Sequence, residues 1–341
     1  MESLPDGLVS LFKDLYGFQN PQLEKTLDRG RSATNFLIAD GSQRYFLKAY
    51  NPKRTREKIA EIQKAEQFFY RKGVPAIAPL DNKGGDAVFE YDDKFFGVFP
   101  AISDRELGSL PSEKAIASVG ATLARLHLAS KGDASLALTK NMDRWTKANF
   151  LSRAQELLEI IRALPSLAPY DVLAQETLEF KIKLAEENTV LFESLGFNTD
   201  TVLHGDYHYH NMFFSAEDEV SHVFDFERVM RGDRATELAY GLFFNCFDMN
   251  VPDPGEVSET HYSRARAYLA AYNEIYPLAP EEIQKGIRWY YLSQMVHLPW
   301  PINVHYLNND FRCDDLLAAR LERVRYFSQN LEKLMDLAVA K

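Results

Sequence analysis

Apolar and polar positions near the start of the chain predict one short helix followed by paired strands. Residues 7–17 repeat apolar side chains at helical spacing, and Asn20-Pro21 ends the pattern. Residues 36–38 and 45–47 form two apolar runs typical of strands, on either side of Asp40-Gly41. Because Asp-Gly between two such runs is a strong hairpin signal, the pattern predicts an antiparallel pair here.

A second helix and two further strands complete the predicted N-terminal part. Residues 53–72 place apolar side chains at helical spacing, while residues 87–91 and 95–99 alternate as strands do. A polar, turn-rich segment follows, and it offers the best boundary near residues 101–111. These patterns predict a small antiparallel sheet with one helix, ending at that segment.

Helical periodicity dominates the chain after residue 111. The apolar repeats predict helices over 113–129, 150–163, 171–195, 233–247, 259–275, 280–298 and 314–338. His127 lies on the apolar side of the first, where we expect a hydrogen-bonded core histidine. The stretch 201–227 interrupts the helices with short strands that carry polar residues at their ends. Aromatic residues from Trp289 to Tyr306 predict core packing, with a cage for a cationic amine as the alternative.

Composition limits the classes to which this protein can belong. Its 341 residues suffice for two domains or lobes, and 46% hydrophobic with 26% charged residues is typical of globular proteins. A net charge of −10 argues against a nucleic-acid or anionic-membrane surface. The acidic N-terminal segment differs from a signal peptide, no run reaches the ~20 apolar residues of a membrane helix, and the two cysteines suit a reducing compartment. We therefore expect a cytoplasmic protein without nucleic-acid or membrane partners.

The polar stretch between the helices concentrates the candidate chemistry, and its histidines support a first interpretation. His204, Asp206, His208 and His210 alternate along the chain and could gather a zinc-type ion, as in a metal-dependent hydrolase. Gly205, however, favours a turn over a strand, and no distant pair of ligands completes the set. This hypothesis also leaves the N-terminal sheet without a role.

Phosphoryl transfer is the second interpretation of the same stretch. That reaction needs a carboxylate for the proton of the acceptor hydroxyl, oxygen ligands for Mg²⁺ and a cation on the phosphates. Asp206 supplies the carboxylate, whereas Asn211 and Asp225 offer hard oxygen ligands. Lys48 ends an upstream strand and can hold phosphates. We prefer this interpretation because it uses the N-terminal sheet as well.

Several segments of the chain resemble a known family of small-molecule kinases. The pattern H-G-D-x-x-x-x-N at residues 204–211, with D-F-E at residues 225–227, is similar to the catalytic loop and metal-binding segment of the aminoglycoside phosphotransferase and choline kinase superfamily. Y-F-L-K at residues 45–48 resembles the strand with the nucleotide lysine. Residues 123–127 and 234–239 resemble the helix after the hinge and the segment after the metal-binding aspartate.

The resemblance covers roughly residues 25–275, and it implies a fold and cofactors. The implied fold is α+β and bilobal, like a protein kinase, with a small antiparallel β N-lobe with one helix and a larger, mainly α-helical C-lobe. We place the nucleotide-binding lobe at residues 1–101 and the catalytic and substrate-binding lobe at residues 102–341. The implied cofactors are ATP and Mg²⁺, and the implied partner is a small molecule whose hydroxyl accepts the γ-phosphate.

The resemblance also implies roles for single residues. Asp206 would be the catalytic base, and Asn211 and Asp225 would bind Mg²⁺. Lys48 would contact the α- and β-phosphates. The remaining residues implied at the nucleotide are Glu61, Gly30, Ser32, Phe99 and Ala101. The last two would belong to the adenine hinge, and the two in the turn carry the weakest implication because that turn is not a Gly-rich phosphate loop.

Two choices stay open within this prediction. Glu61 and Glu66 lie on the same predicted helix and either could pair with Lys48; we choose Glu61, since its distance from the end of the helix fits the family. The acceptor has no motif, and an amino alcohol, a homoserine-like amino acid, an aminoglycoside or a sugar would each be compatible. A metal-dependent hydrolase and a kinase-like binding protein without activity are the alternatives.

Overall fold

A five-stranded antiparallel sheet forms the N-terminal part of the protein. The computed structural model describes residues 4–27, 35–109, 111–138, 146–188, 198–247 and 257–339. The strands are β1 (Gln22–Leu27), β2 (Asn35–Asp40), β3 (Gln43–Ala49), β4 (Val88–Tyr91) and β5 (Lys94–Pro100), in the spatial order β1-β2-β3-β5-β4. Asp40 pairs with Gln43 across the turn of the β2–β3 hairpin, which confirms the predicted pair.

Helices α1 (Asp6–Tyr16) and α2 (Arg56–Arg71) accompany the sheet and lie where the patterns over residues 7–17 and 53–72 predict them, although the predicted lobe counts only one of the two. Phe12 of α1 is fully buried against the sheet and meets Phe89 of β4 with ring centroids 5.8 Å apart. Thr55 caps α2 by accepting a hydrogen bond from the backbone of Lys58 at 3.3 Å, which explains where that helix begins.

The rest of the chain is mainly helical. The helices are α3 (Glu113–Ser130), α4 (Lys147–Arg162), α5 (Pro169–Glu187), α6 (Arg234–Cys246), α7 (Glu259–Ile275), α8 (Pro280–Val296), α9 (Trp300–Asn308) and α10 (Leu316–Met335). Four short strands lie among them: β6 (Thr201–Leu203), β7 (Met212–Phe214), β8 (Val220–Val223) and β9 (Met230–Gly232). β6 pairs with β9 and β7 pairs with β8. These two short antiparallel pairs fix the backbone on both sides of the polar stretch.

The predicted helices agree with the observed ones except at α9, and the predicted end of the helix over 171–195 lies outside the described residues. Pro299 precedes α9 and Pro301 lies in its first turn. Two prolines this close together suppress the periodic signal, yet proline is favoured in the first turn because its missing N–H would have no helical acceptor there. The aromatic residues around it are mostly core: Tyr290 is fully buried and stacks on Phe243 at 4.3 Å.

Helix α2 and the segment that follows it connect the sheet to the polar stretch. Phe69 of α2 stacks on Phe226 with ring centroids 5.5 Å apart. The backbone of β8 is fixed at Val223, which donates to the carbonyl of Pro75 at 2.7 Å and accepts from the N–H of Ile77 at 3.0 Å. These contacts fix the residues that follow β8 relative to α2 and the N-terminal sheet. The lobe boundary after residue 101 stays a prediction.

Helices α3 and α7 cross closely at Gly120. A Cβ atom at this position would lie 2.2 Å from the carbonyl oxygen of Tyr268 in α7. Side-chain atoms do not approach a backbone oxygen so closely, so the crossing distance depends on glycine. Among the helices in the described ranges, none is long and apolar enough to cross a membrane.

Gly120→Ala should destabilise the protein because α7 would have to move. The overpacking penalty of about 1–3 kcal/mol outweighs the roughly 1 kcal/mol that alanine contributes as a helix former. Urea unfolding measures the difference, with Gly108→Ala as the control, since no heavy atom lies within 4 Å of the Cβ that this change would add. Equal unfolding midpoints for the two variants would contradict the prediction.

Candidate active site

His204 shapes the loop between β6 and β7 and is not available as a metal ligand. Its side chain is fully buried, and Nε2 lies 2.9 Å from the carbonyl oxygen of Phe224. Nδ1 accepts a hydrogen bond from the backbone N–H of Asp206 at 3.2 Å. Because both ring nitrogens are used in these contacts, the imidazole ties the loop to the end of β8.

Glu237 of α6 holds the same loop through hydrogen bonds to its backbone. Its carboxylate, 3% exposed, accepts hydrogen bonds from the backbone N–H groups of His204 at 3.0 Å and Gly205 at 2.5 Å. His127 of α3 contacts the same carboxylate through Nε2 at 2.9 Å and the hydroxyl of Tyr272 through Nδ1 at 2.9 Å. His127 is therefore a hydrogen-bonded core histidine, as predicted.

Gly205 is required by the turn itself. Its φ is +83°, and a Cβ would lie 2.2 Å from the carbonyl oxygen of Arg228. Only glycine satisfies both conditions, since other residues are strained at positive φ and would collide with that oxygen. The turn brings the side chain of Asp206 up to Arg228.

Three side chains converge on one oxygen of Asp206. The hydroxyl of Tyr240 donates to Oδ1 at 2.5 Å, while His208 Nε2 and Arg228 Nη1 each lie 3.6 Å from the same atom. Burial, and then the charge of Asp206, raise the pKa of Tyr240 well above its ordinary value, so the phenol keeps its proton and donates. In the predicted role of Asp206 as the base, Oδ2 is the oxygen that would accept the proton of a substrate hydroxyl.

His208 and His210 do not complete a metal site with Asp206. Burial lowers the pKa of His208 to about 4 despite the nearby carboxylate, so the ring is neutral. His210 is exposed and its ring lies 4.1 Å from that of Tyr209. Across the ranges that the structure describes, no group of three His, Cys, Asp or Glu side chains could hold a metal ion. The hydrolase interpretation has no support there.

Asn211 and Asp225 present oxygen atoms beside the loop. Asn211 donates its amide N–H to the carbonyl of Asp206 at 3.0 Å, which leaves its amide oxygen for a ligand. Asp225 lies two residues after the end of β8 and adopts the left-handed conformation, with φ +67° and ψ 55°. The backbone is further fixed where Phe224 donates to the carbonyl of Asn211 at 3.0 Å.

Lys48 reaches both carboxylates that follow β8. Its Nζ lies 3.1 Å from Asp225 Oδ1 and 2.9 Å from Glu227 Oε1, and Arg54 Nη2 binds the other oxygen of Glu227 at 2.7 Å. Burial alone would lower the pKa of Lys48, but the two carboxylates reverse this and raise it. The same ammonium holds the pKa of Asp225 below its ordinary value, against the effect of burial. Lys48 is therefore a fixed cation.

In the structure the charge of Glu66 on α2, rather than that of the predicted Glu61, acts on Lys48, and the role of either glutamate at the nucleotide stays a prediction. Glu61 forms its ion pair with Lys58 at 2.8 Å. Glu66 is 3% exposed and its Oε2 has no hydrogen-bond partner among the described residues. Burial raises the pKa of Glu66 to about 8, and the charge of Lys48 offsets only part of that effect.

The remaining nucleotide contacts stay predictions. Phe99 is buried at the end of β5, and the N–H of Ala101 donates to the carbonyl of Arg44 at 3.2 Å. This N–H is thus committed to the sheet, so an adenine contact at Ala101 would have to use its carbonyl. Gly30 and Ser32 lie outside the described residues.

The oxygen donors and the lysine fit Mg²⁺ and a nucleotide. A carboxylate and an amide oxygen are hard ligands of the kind that Mg²⁺ prefers, and it usually completes its sphere with phosphate oxygens and water. Asn211 and Asp225 would hold the metal, and Lys48 would meet the phosphates. Sequence reasoning missed Tyr240 and Arg228, because no pattern marks either residue as a neighbour of Asp206.

Solved structures of small-molecule kinases share this fold. A spectinomycin phosphotransferase in complex with ADP and spectinomycin matches with a TM-score of 0.65 at 14% identity, over 100% of this chain and 98% of that one. An amicoumacin kinase in complex with AMP-PNP, Ca²⁺ and Ami matches with a TM-score of 0.61 at 15% identity, over 95% and 93% of the two chains. The fold is that of the kinase-like phosphotransferases.

The sequence defines the family more closely. The model of the phosphotransferase enzyme family matches residues 24–278, and the chain belongs to that family. A homoserine kinase of Methylobacillus glycogenes is 25% identical over 281 residues, 80% of this chain and 79% of that protein. A second homoserine kinase, of Parvibaculum lavamentivorans, is 24% identical over 287 residues, 82% and 80% of the two chains. The protein is accordingly a small-molecule kinase of a family that generally uses ATP and Mg²⁺.

Tyr240→Phe should lower kcat roughly 10-fold or more while leaving the KM for ATP unchanged, because Asp206 loses the donor that orients it. Steady-state kinetics with saturating nucleotide measures the effect. Tyr70→Phe, a change at a residue that is 62% exposed on α2, is the matched control. A kcat within twofold of the wild type would show that the Tyr240 hydroxyl does not position the base.

The wild-type protein should become less stable as the pH rises because of Glu66, and Glu66→Gln should abolish this part of the pH dependence. The folded protein holds the Glu66 proton up to about pH 8, whereas the unfolded chain releases it near pH 4.5. Stability contributed by this group is therefore lost between these values as the pH rises. The melting temperature of the variant, relative to the wild type, should increase from pH 5 to pH 8. Glu61→Gln is the control, and parallel curves for Glu66→Gln and the wild type would exclude a buried, protonated Glu66.

Proposed function

We propose that the protein transfers the γ-phosphoryl group of ATP to the hydroxyl of a small amino acid of the homoserine type. The arrangement that supports this is the convergence of Lys48, Asp206, Asn211 and Asp225 on one site, in a member of the phosphotransferase enzyme family. Both curated relatives described above are homoserine kinases and match about four fifths of the chain.

In this proposal each residue acts through a contact described above. Asp206 accepts the hydroxyl proton at Oδ2 while Tyr240 holds Oδ1, so the carboxylate is already oriented when the acceptor arrives. Lys48 leaves its carboxylates for the phosphates. The bound Mg²⁺, held by Asn211 and Asp225, would supply neutralisation of phosphate charge.

An amino alcohol without a carboxylate is the second candidate acceptor. A microcompartment-associated aminopropanol kinase matches with a TM-score of 0.60 over 96% of this chain, at 14% identity. That likeness concerns the fold, so it ranks below the relatives found by sequence. Both candidates share a hydroxyl near an amine, which the net charge of −10 would attract in general.

ADP release with Mg-ATP and a panel of acceptors tests the proposal. Homoserine should give the highest kcat/KM, ahead of amino alcohols, aminoglycosides and sugars. Asp206→Asn should lower kcat at least about 100-fold with Mg-ATP binding retained, because its amide is no base. Asp93→Asn, in the exposed turn between β4 and β5, is the control. Bound zinc at one per chain without ATP consumption on any acceptor would overturn the proposal.

A further inference from the structure

Arg228 lies beside the loop that carries Asp206, and its backbone is fixed there. It ends a short 3-10 turn that comes after β8. Phe226, two residues earlier, and Val229 are fully buried, and the N–H of Val229 donates to the carbonyl of Phe226 at 2.9 Å. The carbonyl oxygen of Arg228 faces Gly205, where a Cβ would lie 2.2 Å from it. The turn therefore holds the start of the Arg228 side chain at a defined place next to Asp206.

The guanidinium of Arg228 has unused hydrogen-bonding capacity. Its side chain is 60% exposed, and Nη1 lies 3.6 Å from Asp206 Oδ1, which is beyond hydrogen-bond distance. Within the described ranges the guanidinium donates no hydrogen bond. Lys48 and Arg54, by contrast, each have an oxygen of Glu227 within 2.9 Å. Because a guanidinium carries five N–H donors, Arg228 can bind a further acceptor.

An ion pair with Asp206 does not account for the position of Arg228. Oδ1 of Asp206 already accepts the hydrogen bond of Tyr240 at 2.5 Å. The loop is held through its backbone by Glu237, which accepts from the N–H of His204 at 3.0 Å. An exposed ion pair without a hydrogen bond contributes little to stability. Neither the loop nor the carboxylate therefore needs Arg228, and another role for its charge remains to be identified.

The surroundings of Arg228 are acidic. The charges of Asp206, Asp225 and Glu227 all act on it. An acceptor that carries a carboxylate would be repelled by these three groups unless a cation faced it. Lys48 would be engaged by the phosphates in the proposed function. Arg228 is then the cation beside Asp206 that can offset the charge of such an acceptor.

The distances suit an acceptor of the homoserine type. Four bonds separate its hydroxyl oxygen from its carboxyl carbon, and they span at most about 5 Å. A hydroxyl at Oδ2 of Asp206 therefore brings the carboxylate within reach of Arg228, whose Nη1 is 3.6 Å from the other oxygen of Asp206. A planar guanidinium can bind both oxygens of a carboxylate at once.

We propose that Arg228 binds the carboxylate of the acceptor and so selects amino acids over amino alcohols. This inference rests on the proposed function. Asp206 takes the hydroxyl proton at Oδ2, while Arg228 orients the other end of the acceptor through a bidentate, charge-assisted pair. The transferred phosphoryl group is the other anion that a guanidinium at this place would bind, and experiment distinguishes the two.

The first experiment compares homoserine with 3-amino-1-propanol, which has the same hydroxyl and amine and lacks the carboxylate. The wild type should prefer homoserine in kcat/KM, and Arg228→Met should reduce this preference about 10- to 100-fold, mainly by raising the KM for homoserine. Arg228→Lys should recover part of it, because an ammonium keeps the charge without the bidentate geometry. The KM for ATP should stay within about twofold, since Lys48 and the proposed metal ligands are unchanged.

Arg162→Met is the matched control for this comparison. Arg162 of α4 is a surface arginine, 52% exposed, whose Nη2 lies 3.2 Å from Glu179. Its replacement should leave the preference for homoserine unchanged. An unchanged preference in Arg228→Met would overturn the proposal. An equal loss for both acceptors would also overturn it, because Arg228 would then act on the phosphoryl group or on Asp206 itself.

The second experiment does not depend on turnover. Sodium 4-hydroxybutyrate keeps the hydroxyl and the carboxylate of homoserine. Compared with sodium chloride at equal ionic strength, and with Mg-ADP present, it should raise the melting temperature of the wild type and of Arg162→Met but not that of Arg228→Met. Without 4-hydroxybutyrate both variants should melt within about 2 °C of the wild type, because both side chains are exposed. This shows that the variants are folded.

The two experiments separate the possible failures. A thermal shift that needs Arg228, in a protein that phosphorylates no acceptor, would contradict the proposed function and leave the carboxylate site standing. Phosphorylation of homoserine with a preference that does not depend on Arg228 would leave the proposed function standing and overturn the carboxylate site. The highest kcat/KM on an acceptor without a carboxylate would overturn both.

Discussion

One buried carboxylate holds the loop that carries Asp206 in place. Glu237 takes two consecutive backbone N–H groups, those of His204 and Gly205, and is itself fixed by His127. Backbone groups in a tight turn cannot find helix or sheet partners, so a buried acceptor is the way to satisfy them without water. The position of Asp206, one residue further on, follows from this constraint. Helices α3 and α6 therefore serve the site although neither supplies the base.

The sequence was enough to predict that the polar stretch and Lys48 belong to one site, because phosphoryl transfer needs both a carboxylate with metal ligands and a cation for the phosphates. Asp206, Asn211 and Asp225 are short-range features whose spacing carries the signal, and the structure brings Lys48 to within 3.1 Å of Asp225. The positions of strands and helices were also predictable, because the spacing of apolar residues shows which face of each strand or helix is buried. The roles of these residues in catalysis stay proposals, whereas the family and fold are confirmed.

Residues that reach the site from distant elements could not be predicted. Tyr240 lies on the helix after β9, and nothing in its neighbours distinguishes a tyrosine that contacts Asp206 from one that packs in the core. The choice between Glu61 and Glu66 depended on the orientation of α2 relative to the sheet, which periodicity alone does not define.

The ion pairs around Lys48 balance the charges of this site within the protein itself. Lys48 and Arg54 are matched by Asp225 and Glu227, so each charge already has a partner before any ligand binds. A divalent cation arriving alone would have to compete with the ammonium for Asp225, and a polyphosphate arriving alone would meet two carboxylates. When both arrive together, each takes the partners that the other releases. In the proposed roles of Asp225 and Lys48, metal and nucleotide would therefore bind with positive coupling, each raising the affinity for the other.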